Sequence, residues 1–194
     1  DALPISILGK PIVNYVLDAS KAISAKQTFV VVGHGGEITA RCAKKDATIV
    51  WQKEILGTGH AAMQVLPYLE GKKGDVMILC GDTPLLTGET LKKIYHKHYK
   101  SENAVTICST VLANPKGYGR VLREYPSYKV LGVRPYAEIS EEEDKITEIN
   151  SGIYVVDLEK LQEYLPKLSR DNKKDEYYLS DIVDLMYKDG LKVD

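Results

Sequence analysis

The sequence predicts an α/β fold: a mixed, mostly parallel sheet with helices on both faces. Three observations carry this. Amphipathic helical stretches alternate with short strands up to about residue 111, the αβαβ order that builds parallel sheets. The strands are continuous apolar runs, as expected for strands buried on both faces. Several of them end in glycine-containing loops that would meet on one rim, where open α/β sheets bind ligands.

Ile12, Val13, Tyr15, Val16, Ala19, Ala22 and Ile23 recur at helical steps and predict the first helix, with Pro11 in its first turn. Thr28-Phe29-Val30-Val31-Val32 is a buried-type strand ending in Gly33. A second helix, Glu37 to Lys45, leads to a strand at Thr48-Ile49-Val50-Trp51. A third helix starts after Gly59 and runs through Ala61, Ala62, Val65 and Leu66 towards Tyr68. The strand Val76 to Cys80, the helix Gly88 to Tyr99 and the strand Val105 to Val111 follow. Beyond residue 111 the texture is more polar. Segments 119–124, 129–133 and 146–149 read as hairpins or edge strands of a substrate lobe, and Ile153 to Val156 as a central strand. Helices at Leu158 to Leu168 and Leu179 to Lys188 close the chain. Glu141-Glu142-Glu143-Asp144 reads as a solvated loop or a helix start.

With 194 residues, the chain is about the length of one domain. Lys+Arg (26) and Asp+Glu (27) nearly cancel to a net charge of -1, which argues against a nucleic-acid surface or a polybasic membrane surface. Cys42, Cys80 and Cys108 form no CxxC pair, so neither a disulfide framework nor a zinc site is expected, and a cytoplasmic setting is. No apolar run approaches the ~18 residues of a membrane span, and no signal peptide is visible.

The chemistry should sit after the strands. Gln52 and Thr58 offer paired donors and acceptors suited to a planar base edge. Gly57-Thr58-Gly59 opens a predicted helix, whose N-terminus favours an anion or polar carbonyl; a tight turn with an N-cap at Thr58 fits the same residues. No G-K-[ST] follows, so this is not a Walker loop. Gly81-Asp82 places a carboxylate over the rim, a partial ligand for Mg²⁺ alongside phosphates and water; a turn Asp before Pro84 fits equally. Lys116-Gly117-Tyr118-Gly119-Arg120 is either a backbone clamp on a polar ligand or a bulged strand entry. Asn150 suits a sugar hydroxyl or a turn. His96 and His98 read as surface residues, His34 and His60 as structural ones, and the cysteines as small core hydrophobes. No G-x-S-x-G elbow supports acyl hydrolysis.

One family has these stretches in this order: Gly9-Lys10-Pro11, Gly33-His34-Gly35-Gly36, Gln52, Leu56-Gly57-Thr58-Gly59-His60-Ala61, Gly81-Asp82-Thr83-Pro84-Leu85, Gly117-Tyr118-Gly119-Arg120, Glu148-Ile149-Asn150-Ser151-Gly152 and Glu176-Tyr177-Tyr178-Leu179-Ser180-Asp181. The chain resembles the uridylyltransferase (pyrophosphorylase) domain of bacterial bifunctional N-acetylglucosamine-1-phosphate uridyltransferase/glucosamine-1-phosphate acetyltransferases. The L-G-T-G-H-A and E-Y-Y-[LI]-[ST]-D stretches together are the specific part.

The resemblance implies a Rossmann-like nucleotidyltransferase fold and Mg²⁺-dependent transfer of UMP from UTP to N-acetylglucosamine 1-phosphate. UDP-N-acetylglucosamine, a cell-wall (peptidoglycan) precursor, and pyrophosphate would be the products. Carried over, Gln52, Gly57 and Thr58 would bind the uracil. Cys80, Gly81 and Asp82 would lie along the ribose and phosphates, with Asp82 the Mg²⁺ ligand. Gly119 and Asn150 would contact the amino sugar, and Glu176 and Tyr178 would line its pocket. Residues 1–111 would then be the nucleotide-binding part and 112–194 the sugar-binding part of a single domain. Departures accompany the match. The family's first strand and L-x-x-G-x-G-T-x-M phosphate loop would precede residue 1. The family's Leu-Pro-Lys is matched only by Leu3-Pro4-Ile5, Lys10 is no obvious substitute, and a sugar-contacting Glu falls at Pro135. The family's second metal ligand, an Asn, would follow residue 194. The expectation is a domain truncated at both ends, impaired in turnover and weak in uridine-nucleotide binding. It would be monomeric, the family's trimers coming from the acetyltransferase β-helix. Two other readings remain open: a nucleotidyltransferase for another sugar phosphate, such as glucose 1-phosphate, and a non-catalytic nucleotide-binding module.

Overall fold

A computed structural model describes residues 5–194; Leu3 and Pro4 of the Leu3-Pro4-Ile5 stretch lie outside the described residues. The first element is a small antiparallel hairpin, β1 (Ser6–Ile7) with β2 (Lys10–Pro11). Strands this short leave no apolar run to predict them from. Pro11 therefore caps α1 (Ile12–Ser20) from outside instead of sitting in its first turn. Val16 and Leu17 are the buried side of α1.

The predicted crossover forms next. β3 (Phe29–Val32) and β4 (Thr48–Trp51) pair in parallel, joined by α2 (Glu37–Ala43). Gly57 then leads into α3 (Thr58–Met63). β5 (Asp75–Ile78) is followed by α4 (Gly88–Ser101), whose Thr87 cap accepts the Thr90 N–H at 3.2 Å. The remaining elements are β6 (Val105–Val111), β7 (Arg120–Arg123), β8 (Val130–Arg134), β9 (Glu148–Asp157), α5 (Leu158–Tyr164) and α6 (Asp181–Lys188).

The fold is mixed α/β, as predicted, but the balance of its ladders differs. β5 to β9 form one five-stranded sheet in which every ladder is antiparallel. β5 and β6 point the same way, as a parallel sheet would have them, but β9 runs between them in the opposite direction. Val76 and Val105 both face Val156 across its two edges. An apolar strand can pair in either direction, so the composition of β5, half-buried at Val76–Ile78, and of β6, buried at Val105–Ile107, does not report their partner's direction.

β9 also joins two segments that the sequence separates. Its ten residues run straight through Asn150-Ser151-Gly152, with a register shift opposite Cys108/Ser109. Gly152 makes this passage feasible: its φ is +79°, and a Cβ there would lie 2.6 Å from Cys80 Sγ. The polar triplet is thus an irregularity inside a strand and not a turn after one.

The core gathers where β9 meets α5 and α6. Val155, Val156, Leu165, Ile182, Val183 and Met186 are fully buried, each contributing about 1.5–3 kcal/mol by its removal from water. α6 packs on β8, and α4 lies against α1 and β6. His98 corrects the expectation of a surface residue. It is 2% exposed, on the same stripe of α4 as the buried Leu91, and shares a hydrogen bond with Thr106 Oγ1 at 2.9 Å. Burial depresses its pKa.

Candidate active site

The two most specific sequence stretches lock together. The Tyr177 N–H donates to Leu56 O (2.8 Å), the Gly59 N–H to Tyr177 O (2.7 Å), and the Leu179 N–H to Thr58 Oγ1 (3.0 Å). Gly57, at φ +103°, sits so close that a Cβ would lie 2.6 Å from Tyr177 O. Neither L-G-T-G nor E-Y-Y-L is therefore a free loop; each supplies the other's backbone partners.

This contact alters two expectations. The hydroxyl oxygen of Thr58 accepts from Leu179 and does not cap its own helix; Gly57 holds the N-cap position. An anion at the start of α3 also has less to bind than the sequence implied. α3 is only six residues long, and the Gly59 N–H is already committed to Tyr177.

Gln52 follows β4 and is 7% exposed. Its backbone N–H continues the parallel pairing to Val32 O (2.9 Å), while Nε2 donates to Gly57 O at 3.1 Å. The His60 ring lies between the side-chain amides of Gln52 and Gln64, its Nδ1 3.1 Å from Gln52 Nε2 and its Nε2 3.0 Å from Gln64 Nε2, and accepts from one of these two donors. That fits the structural role expected of His60. Gln52, Gly57 and Thr58 thus form one cluster, buttressed by residues 176–179.

A second cluster surrounds Asn150. Its backbone N–H donates to Gly119 O at 3.0 Å, which joins two of the predicted sugar-side residues. Cys80 Sγ lies 3.5 Å from Gly152 O, and burial, with the charge of Asp82, pushes the Cys80 thiol pKa up. Gly81 and Asp82 continue from there as exposed residues beyond the carboxyl end of β5. Arg120, wholly buried, fastens the preceding loop: it donates to Pro115 O (2.9 Å), to Tyr118 O, and to Asp144 Oδ1 (3.0 Å). Lys10 is engaged elsewhere, paired with Asp18 and lying over the Tyr15 ring.

Residues 176–181 begin against the first cluster, through Tyr177 and Leu179. Glu176 is half-buried, with its backbone held by the Asn172 side chain, and Tyr178 keeps its buried hydroxyl without a hydrogen-bond partner. Several groups here escaped the sequence reading. Tyr154 bonds to Asn150, and Asp181 and Asp184 occupy the first turn of α6. Burial, then repulsion from Asp184, raises the Asp181 pKa to about 6. Asp184 accepts the Val133 N–H at 3.0 Å. The Asp-x-x-Asp spacing at a helix start was the available sign of the acidic pair.

Among the described residues, no group of three or more His, Cys, Asp or Glu side chains could hold a metal on its own. The exposed Asp82 could contribute one carboxylate to Mg²⁺, with phosphates and water needed to complete the shell. Among the same residues, no helix is long and apolar enough to cross a membrane.

A parallel β3–β4 pair and a separate antiparallel sheet of β5 to β9, with polar and glycine-rich segments beyond β4 and β5 and within β9, make this an α/β domain whose class its family match defines. Residues 3–131 match the MobA-like NTP transferase domain. The chain belongs to that family. It is 41% identical over 187 residues to the bifunctional protein GlmU of Caldanaerobacter subterraneus subsp. tengcongensis, covering 96% of this chain and 40% of that protein. It is 42% identical over 180 residues to bifunctional protein GlmU of Thermoanaerobacter pseudethanolicus, covering 93% and 39%. The chain thus spans about two-fifths of the length of these curated relatives. A crystal structure of UDP-glucose pyrophosphorylase complexed with UDP-glucose superposes with a TM-score of 0.73 at 16% identity, over 96% of this chain and 78% of that one. The apo form of UDP-glucose pyrophosphorylase gives 0.72. These structures share the fold.

Proposed function

We propose that this nucleotidyltransferase domain is a UDP-N-acetylglucosamine pyrophosphorylase, transferring UMP from UTP to N-acetylglucosamine 1-phosphate and releasing pyrophosphate. The observation that carries the reading is the interlock of Leu56–Gly59 with Tyr177–Leu179. Two stretches more than a hundred residues apart, on which the resemblance chiefly rests, meet through these hydrogen bonds. Similarity to GlmU proteins along almost the whole chain supports the same reading.

Gln52, Gly57 and Thr58 hold the uracil. Cys80 and Gly81 lie along the ribose and phosphates. Gly119, Asn150, Glu176 and Tyr178 receive the amino sugar. An oxygen of the sugar phosphate attacks the α-phosphorus; the new O–P bond forms as the bond to the β-phosphate oxygen breaks, and pyrophosphate leaves. The nucleophile is already an anion, so no general base is needed, and positioning with charge neutralisation supplies the rate. Asp82 would hold Mg²⁺, which supplies that neutralisation on the phosphates. A cytoplasmic setting suits these substrates.

The test is pyrophosphate release from UTP with N-acetylglucosamine 1-phosphate, run against glucose 1-phosphate, in wild type and Asp82→Asn. The expected result is slow, Mg²⁺-dependent release, as befits a domain impaired in turnover, that prefers the acetylated sugar and falls about a hundredfold further in Asp82→Asn, the scale for losing one preorganised charge contact. Preference for glucose 1-phosphate, or an Asp82→Asn chain as active as wild type, would overturn the assignment.

A further inference from the structure

We infer that Tyr154 is a positioning residue for the sugar half of the ligand, its hydroxyl locking the side-chain amide of Asn150 in one orientation. The inference rests on the function proposed above, since it takes Asn150 to face the sugar.

The geometry is specific. Asn150 Nδ2 donates to Tyr154 Oη at 2.6 Å. On the other side of the amide, the Gly152 N–H donates to Asn150 Oδ1 at 3.1 Å. A backbone N–H can only donate, so the atom facing Gly152 must be the amide oxygen and the atom facing Tyr154 the nitrogen. The amide is held at both ends and cannot flip. What remains for a ligand is one N–H of Nδ2 and one lone pair of Oδ1. The two groups are presented in a fixed order along a fixed plane, as needed to read a hydroxyl or acetamido group.

Tyr154 suits the task because it is buried and paired on both sides. It sits in the centre of β9, between Ile78 of β5 and Ile107 of β6, and is 3% exposed. Burial pushes its phenol pKa well above the ordinary value, so the hydroxyl stays neutral and able to accept from Asn150 throughout the working range. Phe in its place would keep the ring packing and remove only the oxygen. Asn150 would then be pinned by Gly152 alone, free to turn about its terminal torsion, with one N–H unpartnered.

The decisive experiment is a double-mutant cycle read by calorimetry with UDP-N-acetylglucosamine and, separately, UDP. The proteins are the wild-type chain, Tyr154→Phe, Asn150→Ala and the double variant, each with its melting temperature measured. Tyr154→Phe should weaken UDP-N-acetylglucosamine about three- to tenfold, the worth of one hydrogen bond, and leave UDP unchanged. In the Asn150→Ala background it should cost nothing further, because its route to the ligand is gone. A purely structural tyrosine would lower the melting temperature while sparing the difference between ligands. Equal weakening of both ligands, additive losses in the double variant, or no weakening in Tyr154→Phe would each overturn the inference while the proposed function stands. A wild-type chain that binds UDP but not UDP-N-acetylglucosamine, or that binds neither, would overturn both.

Discussion

Replacing Asp181 by Asn should stabilise the protein at alkaline pH and leave its stability unchanged in acid. Asp181 opens α6, where a helix N-terminus ordinarily favours a carboxylate. Here burial and the neighbouring Asp184 outweigh that help and the attraction of Arg134, and lift the pKa from 3.8 to about 6. At ~1.4 kcal/mol for each pH unit, this rise corresponds to ~3 kcal/mol of penalty on the charged form. The group is partly solvated, so we halve it to ~1.5 kcal/mol. The folded protein holds its proton more tightly than the unfolded chain. The penalty is therefore complete above about pH 6, shrinks as pH falls, and is gone below the unfolded value of ~4. Asn has nearly the same size and carries no charge at any pH. In a domain of this size ~1.5 kcal/mol amounts to a melting temperature higher by about 3–6 °C. Scanning calorimetry of wild type and Asp181→Asn at about pH 8 and about pH 4 measures the difference directly. A gap of equal size at both pH values would refute the reasoning, as would an Asn variant less stable than wild type at the higher pH.

Other substitutions test the packing of the site. Gly57→Ala should destabilise by about 1–3 kcal/mol, because its positive φ and the contact with Tyr177 O both resist a Cβ; thermal melting checks this, and an unchanged melting temperature would contradict it. Arg120→Met should cost about 2–4 kcal/mol by stripping Pro115 O and Tyr118 O of their donor, as denaturant unfolding would report. Arg120→Lys should recover little of that loss, since one ammonium cannot reach both carbonyls and Asp144 in the guanidinium's geometry.

How much of this was legible depended on whether a feature is local. Phe29–Val32 and Thr48–Trp51 were legible as strands, and their parallel pairing followed from the helix between them, but the burial expected of Phe29–Val32 is met only at Val32, and Val50 is the one buried residue of its partner. The direction of β9 was hidden, because Val155 and Val156 would look the same beside parallel partners. Its continuity was hidden too. Asn150-Ser151-Gly152 has the composition of a turn, and only the pairing with β6 on both sides of it reveals that the chain runs on as a strand. His98 was legible in principle, seven residues after Leu91 on one helical stripe, but its spacing from His96 drew attention instead.

The site divides along the same line. Residue types pointed to Gln52, Thr58, Asp82 and Asn150, since each carries the donor or charge its proposed role requires. The groups that hold them gave no such sign. Leu179 serves through its N–H, Tyr177 through its carbonyl and N–H, and Arg120 as a buried fastening for the loop before Gly119. Backbone partners have no residue-type signature, so a sequence shows the residues proposed to meet the ligand before those that fix them. The same holds for the two-part division of the chain. Residues 176–179 belong by order to the predicted sugar-binding part, yet they buttress Gly57 and Thr58. Under the proposed function, this one segment reaches both the uracil and the sugar. A substitution in Glu176–Leu179 should therefore disturb both ends of the nucleotide sugar, whereas one at Tyr154 should disturb only the sugar end.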